Sequence, residues 1–443
     1  MLTLLAFGMI ATFMALIMTK RMSPLTALII VPIVFGLLAG FTTALGPMML
    51  DGIRNLAPTG VMLLFAILYF AIMLDAGLFD PFVDLVLRVV KGDPARVVVG
   101  TAVIALLVSL DGDGSTTYMI TTAAMLPLYL KLGIRPIVLA CVCMLSGGVM
   151  NLLPWGGPTA RVATALAVDM GALFPPLVPA ILAGAAWVLF ASWQLGRGER
   201  ARLLAQGGPA PVLRTPGGEH GIVADDDEAL ALKRPKLRLV NAALTLALLL
   251  ALVKGMLPLA VLFMIAFAVA LMLNYPSLAD QRARVGAHAG NALAVAGVVF
   301  AAGIFTGILS GTKMVDAMAQ SVVHLVPAPL GPYMAPVTGI LSIPFTFFIS
   351  NDAFYYGVLP ILARAGAAYG ITAVEIGRAS LIGQPVHLLS PLVPSTYLLV
   401  GLCGVELDEH QKFTLKWALL SAAVLLGVGL LTTVIPLARL APR

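Results

Sequence analysis

The chain has 443 residues, 60% hydrophobic and 11% charged, whereas a soluble domain carries roughly 25% charged residues. Its formal net charge is +6, but the Lys and Arg residues sit in short loops between apolar runs, as the positive-inside rule requires, so topology explains the charge and no nucleic-acid partner is implied. These figures exclude a string of soluble domains and predict a chain solvated mostly by lipid. Cys141, Cys143 and Cys403 lie inside apolar runs, where they act as small hydrophobes and not as a disulfide framework.

In chain order, spans near the ~20 apolar residues needed to cross a bilayer are expected at 2–19, 24–45, 56–74, 136–170, 173–194, 239–254, 257–273, 291–309, 375–403 and 412–437. The first is followed directly by Lys20-Arg21 and lacks a cleavage site, so it reads as a retained span and not a secretory signal. Two further stretches, about 97–130 and 333–363, are interrupted by Asp111-Gly-Asp-Gly-Ser-Thr-Thr117 and Ser350-Asn-Asp352. Each is a re-entrant hairpin or a pair of ordinary spans. Charge counting favours hairpins: with the N-terminus outside, only Arg54, Lys254, Lys313, Arg364, Arg439 and Arg443 face outward, Arg161 and Arg378 lie within spans, and the other basic residues are cytoplasmic.

A repeat divides the chain. One constant offset superposes Asp80 on Asp316, Asn151 on His387, Pro158 on Pro394, Thr159 on Ser395, and Ser115-Thr116 on Asn351-Asp352. Residues 1–194 and 239–443 then form two halves, each with about five transmembrane helices, a hairpin (about 97–130 and 333–363) and a broken helix (136–170 and 375–403). Five crossings per half is odd, so the second half is inverted relative to the first, a pattern of secondary transporters with midplane sites. The 195–238 segment, with Gly207-Gly-Pro and Asp225-Asp-Asp-Glu228, reads as a flexible cytoplasmic linker. The expected fold is an all-α polytopic membrane protein.

Backbone that leaves the helix at bilayer depth must be buried in protein or line a watery cavity. Four segments do so: the Asp111 to Thr117 tip, Pro154-Trp-Gly-Gly-Pro-Thr159, the Ser350 to Asp352 tip, and Gly383 to Pro391 continuing to Thr396. Paired across the halves they can enclose one site. Its expected substrate-binding residues are Ser115, Thr116, Thr117, Gly156, Gly157, Pro158, Thr159, Arg161, Ser350, Asn351, Gln384, His387, Ser390, Ser395 and Thr396. Asp111, Asp113 and Asp352 are candidates for holding a proton or a metal, because a carboxylate at that depth costs roughly 2.5–3.5 kcal/mol on insertion scales and is retained for function; the alternative is that they cap hairpin arms at an aqueous mouth. Arg161 either grips a substrate carboxylate or pairs structurally with Asp111 or Asp113. His387 either carries a proton or makes an interhelical hydrogen bond. Trp155, Tyr355 and Tyr356 either shape the cavity or simply pack. No phosphate loop, HExxH or CxxC pattern occurs. An intramembrane acid-base enzyme is the alternative from another class, although the inverted repeat has no use there.

At Thr19-Lys-Arg-Met-Ser-Pro24, Lys91-Gly-Asp-Pro94, Leu110 to Thr122, Pro154 to Arg161, Ser350-Asn-Asp-Ala-Phe-Tyr-Tyr-Gly357 and Gly383 to Thr396, the chain resembles the citrate-metal/proton symporter family (CitMHS) of the ion transporter superfamily. The resemblance covers nearly everything but the linker. It implies uptake of citrate complexed with a divalent metal ion such as Mg or Ca, driven by protons, with no permanently bound cofactor. It further implies an elevator-type fold with scaffold and transport domains, a homodimer, and a place in the bacterial inner membrane. Related sodium-coupled carboxylate carriers bear Ser-Asn-Thr at the tips where this chain has Asp113-Gly-Ser-Thr116 and Ser350-Asn-Asp352; the extra carboxylates suit proton or divalent-metal handling, and a sodium-coupled di- or tricarboxylate carrier is the alternative.

Overall fold

A computed structural model describes residues 2–90, 93–112, 114–206, 231–254, 256–325 and 328–439, and among these every regular element is helical. The first part of the chain contains α1 (Leu2–Met18), α2 (Pro24–Leu38), α3 (Leu45–Asp75) and α4 (Asp80–Val90). It continues with α5 (Pro94–Val108), α6 (Gly114–Leu132), α7 (Pro136–Met150), α8 (Gly157–Ala165), the short α9 (Met170–Leu173) and α10 (Val178–Ala205). The second part contains α11 (Arg238–Lys254), α12 (Leu259–Asn274), α13 (Leu278–Gly311), α14 (Met314–Leu325) and α15 (Met334–Phe348). After a π-helical turn, Ala353–Val358, come α16 (Leu359–Ala367), α17 (Ala373–Ser380), α18 (Gln384–His387), α19 (Pro394–Cys403) and α20 (Leu407–Leu431).

Six of the described helical stretches are long and apolar enough to cross a membrane unaided; shorter apolar helices include α1, α2, α7, α12 and α19. Helix α3 starts earlier than its apolar run predicts and spans 31 residues, about 46 Å at the α-helical rise. The extra turns carry exposed Asp51 and Arg54 and extend beyond a hydrocarbon layer of about 30 Å.

The helices gather into two packed groups. One holds α1, α2, α3, α11, α12 and α13, with α3 against α13 as its most extensive seam. Glycines permit that seam: a Cβ on Gly52 would lie 1.9 Å from the Gly303 carbonyl oxygen, and one on Gly307 2.2 Å from that of Met48. Such close backbone approach is how membrane helices associate where lipid supplies no hydrophobic drive. The other group builds α5, α6, α7 and α10 against α15 and α17 to α20. Its centre is α7, in which every residue from Ile137 to Met150 is buried, as expected of a helix apolar on all sides.

Helix α5, capped by the Asp93 carboxylate on the Ala95 N–H, ends in a 3-10 turn at Ser109–Asp111. Gly112, at φ +80°, adopts the left-handed conformation that reverses the chain. Arms α5 and α6 then pack side by side, and Thr101 Oγ1 meets the Tyr129 hydroxyl at 3.0 Å far from the tip.

The linker expected over 195–238 is shorter in the structure, because α10 continues to Ala205 and the chain is again anchored before α11. Buried Glu199 accepts from the Arg135 Nε at 2.7 Å and from Arg202, while Arg202 also donates to the Gly133 carbonyl. On the far side the Arg234 N–H donates to the Ala76 carbonyl at 3.0 Å. Residues 207–230, including Asp225 to Glu228, lie outside the described residues.

If α5 and α6 form a hairpin that enters and leaves on one side, cysteines at positions 96 and 131 will react with an impermeant thiol reagent from the same face; labelling from opposite faces refutes it. Gly52→Val should separate α3 from α13 and lower stability in detergent by about 1–3 kcal/mol, the usual penalty of overpacking. Gly290→Ala, where a Cβ meets nothing within 4 Å, is the control expected to melt like the parent.

Candidate functional site

A cavity of about 260 Å³ lies where the two groups meet. One side is apolar, made by Leu63 and Ile67 of α3 and by Val295 and Val298 of α13; the other carries Asp111, Gly112, Trp155, Gly157, Arg161 and Tyr356. Few convergent polar groups in a mostly apolar concavity is the usual composition of a small-molecule site.

The break between α7 and α8 forms the polar side. A Cβ on Gly156 would fall 2.2 Å from the Asn151 carbonyl oxygen, so only glycine lets the chain turn back so tightly. Trp155 locks the break to the first hairpin tip: its Nε1 donates to the Leu110 carbonyl at 2.8 Å, and its ring packs 5.0 Å from Phe70 and 5.1 Å from Phe263. One turn into α8 stands Arg161. A Cβ at Gly157 would sit 2.8 Å from the Arg161 guanidinium, so the missing side chain makes room for it.

Arg161 Nε donates to Asp352 Oδ1 at 2.7 Å, with 27% and 13% of the two side chains exposed. The pair joins α8 to the turn that follows α15, 191 residues further along the chain, whereas the sequence pattern suggested Asp111 or Asp113 as the partner. Asp352 is set by its surroundings: Ser350 Oγ accepts from the Ala353 N–H at 3.2 Å, and the π-helical turn follows at once. Such turns recur at functional sites. That turn presents Tyr356, whose hydroxyl lies 3.1 Å from Thr164 Oγ1, and Tyr355, whose hydroxyl accepts from Gln384 Nε2 at 2.7 Å. Gln384 also donates to Asn351 Oδ1 at 3.2 Å.

Of the residues expected from sequence, Asp111, Gly157 and Arg161 line the cavity, and Asp352 reaches it through Arg161. Gly156, Pro158 and Thr159 are buried within the break. Ser115, Thr116 and Thr117 open α6, and Ser395 lies at the start of α19, beside Gly114. His387, Ser390 and Thr396 are committed to backbone: His387 Nδ1 donates to the Thr346 carbonyl at 2.6 Å, Ser390 Oγ to that of Phe347 at 2.6 Å, and Thr396 Oγ1 to that of Leu388. Asp113 lies outside the described residues. The buried hydroxyls of Ser109, Thr117 and Thr121 have no hydrogen-bond partner among the described residues, so this face of α6 suits water.

The apolar wall from α3 and α13 carries no sequence signal, because Val295 facing a cavity reads like Val295 facing lipid. Trp155 and Tyr356 stood out only as aromatic residues beside the breaks. A second cavity of about 780 Å³, edged by Asn55, Thr59, Asp169 and Lys254, meets α3 at Met62, next to Leu63 of the first.

Apolar helices of spanning length around a cavity lined by Asp111 and Arg161 mark a multi-pass membrane protein. The citrate transporter family (CitMHS) profile matches residues 13–383. A citrate transporter of Bacillus subtilis (strain 168) is 59% identical over 98% of this chain and 100% of its own. A Mg(2+)/citrate complex secondary transporter of the same organism is 54% identical over 97% and 98%. In fold the chain is similar to the Alcanivorax borkumensis YdaH transporter, whose crystal structure has an unusual topology, with a TM-score of 0.54, 14% identity and 90% of each chain covered. The chain belongs to the citrate transporter family, and it is a multi-pass protein of the cell membrane.

The pair predicts a non-additive pattern. Arg161→Met and Asp352→Leu should each lower stability by about 1–3 kcal/mol, since each leaves one charge unpaired. The double variant should lose less than the sum of the two, measured by melting all four proteins in one detergent.

Proposed function

We propose that this transporter imports citrate as a complex with a divalent metal ion, together with protons, and that Arg161 and Asp352 perform the exchange. The observation that carries the reading is a guanidinium, paired with a carboxylate, facing a small cavity at the meeting of the two helix groups. A citrate trianion there would place three negative charges against one arginine. Bound to a divalent cation it carries one, which a single guanidinium can match once Asp352 is neutralised by a proton. The metal is therefore part of the substrate, held by citrate's own carboxylates. Its name for a 54% identical relative, a Mg(2+)/citrate complex transporter, supports the same substrate here.

In this reading Arg161 binds one free carboxylate through its planar fork, and the α8 N-terminus at Gly157 adds backbone N–H groups. Gly156, Pro158 and Thr159 hold that terminus in place. Ser115, Thr116, Thr117 and Asn351 line the approach from the two tips, and Asp111 and Asp113 are further proton or metal acceptors. The α1–α3 and α11–α13 group serves as scaffold while the other group moves as an elevator between the faces. The two halves are inverted repeats, and the family resemblance supports a homodimer.

The test is labelled citrate uptake into proteoliposomes. Uptake should require a divalent cation, rise with an inward proton gradient and persist when choline replaces sodium; indifference to both metal and pH gradient overturns the proposal, and sodium dependence favours the sodium-coupled alternative. Arg161→Lys keeps the charge but loses the fork, and should weaken metal-citrate binding by about 1.5–3 kcal/mol, one charged hydrogen bond. An unchanged dissociation constant removes Arg161 from the binding site.

A further inference from the structure

Helix α4 connects the first packed group to α5 of the second, and beside it lies a cavity of about 710 Å³ bounded by α4, α5 and α10. Its walls are apolar, with Val86 and Val89 from α4, Val99 and Val103 from α5, and Trp193 from α10. Val89 remains 57% and Trp193 42% exposed, so the cavity is an open groove. Its floor is fixed where α5 and α10 touch: a Cβ on Gly196 would lie 2.7 Å from the Ala95 Cα.

One end of the groove is strongly basic. Arg96, Arg197 and Arg200 stand at the rim, with Asp93 as the acidic residue among them. The Asp93 carboxylate spends Oδ1 on capping α5, and its Oδ2 lies 3.9 Å from Arg96 and 3.8 Å from Arg200. Those separations exceed hydrogen-bonding distance, so both guanidinium groups keep their donors. Arg197 stacks 4.7 Å over the Trp193 ring, which orients it without using its N–H groups. The rim is a net cationic fork. From Arg96 to Val103 the apolar wall descends about 10 Å at the helical rise.

We propose that this groove binds an anionic glycerophospholipid, with the phosphate on Arg96, Arg197 and Arg200 and the upper acyl chain against Val89, Val99, Val103 and Trp193. Basic pockets between membrane helices suit such headgroups. Charge complementarity decides against the other occupants. In a two-fold contact with a second copy the cationic rim would face itself, and a free phosphate would leave the apolar wall uncovered. Because α4 joins the two helix groups, a lipid held there bears on movement between them.

The experiment uses the full-length protein purified in detergent, with phosphatidylglycerol and phosphatidylcholine of matched acyl chains, followed by native mass spectrometry and thermal melting. The parent should retain phosphatidylglycerol adducts and melt higher with that lipid than with phosphatidylcholine. Arg96→Gln/Arg197→Gln/Arg200→Gln should weaken phosphatidylglycerol binding about a hundredfold, at roughly 1 kcal/mol for each basic residue near the headgroups, and leave the response to phosphatidylcholine unchanged. Val99→Trp, which fills the groove and keeps the arginines, should remove the same adduct and serves where the triple variant does not fold. Equal binding of the two lipids by the parent overturns the proposal. So does equal protection by inorganic phosphate, or a triple variant that loses a dimer mass and not a lipid adduct.

Discussion

Hydrocarbon offers no partner to a free backbone N–H or C=O, and the two interrupted helices of this protein are organised around that constraint. They cross back to back at α7 and α18, where a Cβ on Gly148 would lie 2.7 Å from the Pro385 Cα. Around the second break side chains take up the exposed carbonyls: Thr396 Oγ1 donates to that of Leu388 and Gln411 Nε2 to that of Leu389 at 2.7 Å, while His387 and Ser390 of the break donate to those of Thr346 and Phe347 in the last turn of α15. Opposite, the Gly383 N–H donates to Ser342 Oγ at 2.9 Å. The first break is closed differently, by the Trp155 indole on the Leu110 carbonyl, and its α8 end stays open to the cavity with Gly157 and Arg161 on display. The two breaks thus match in position and differ in chemistry.

The facing wall shows the complementary property. Leu63, Ile67, Val295 and Val298 meet the site through apolar surface, which attracts without direction. Behind them the α3–α13 seam is held by glycines whose backbones nearly touch. A stiff seam with a smooth face is what an elevator would slide along, and the polar contacts that position Arg161 belong to the other group. In the proposed cycle the site can therefore travel with its own hydrogen bonds intact.

Much of this was legible in the sequence. Lipid as solvent follows from composition, and the four polar interruptions follow from their Gly, Pro and Asp content within apolar runs. Arg161 and Asp352 stood out because a charge at that depth needs a reason. Their partnership did not, because residues 191 positions apart show no pairing signal in one sequence, and the nearer Asp111 and Asp113 were the natural guesses. For His387 the sequence left proton carriage and an interhelical hydrogen bond both open; in the structure its Nδ1 donates to the Thr346 carbonyl in the last turn of α15. The end of α10 resembles a linker because six charged or glycine residues fall from Gly196 to Arg202, while Glu199 is buried by Arg202 and by Arg135, the latter 64 positions away and outside any composition window.

The Arg161–Asp352 pair also bears on why the proposed transport would be coupled at all. Two states of the Arg161–Asp352 pair are electrically balanced. In one, Arg161 holds ionised Asp352, as in the structure; in the other, Asp352 is protonated and Arg161 holds a singly charged metal-citrate anion. Protonation without substrate leaves a guanidinium uncompensated in the cavity, a penalty of about 1–3 kcal/mol where a charged group loses its partner. Substrate without the proton sets two anions against one guanidinium, and the repulsion between them is strong where the dielectric is low. Each unbalanced state is thus rare, and each would be the route of a leak, either of protons alone or of citrate alone. If the cavity must be balanced and dry before the apolar wall can slide past it, the same ion pair that fixes the resting geometry also enforces that proton and metal-citrate move together.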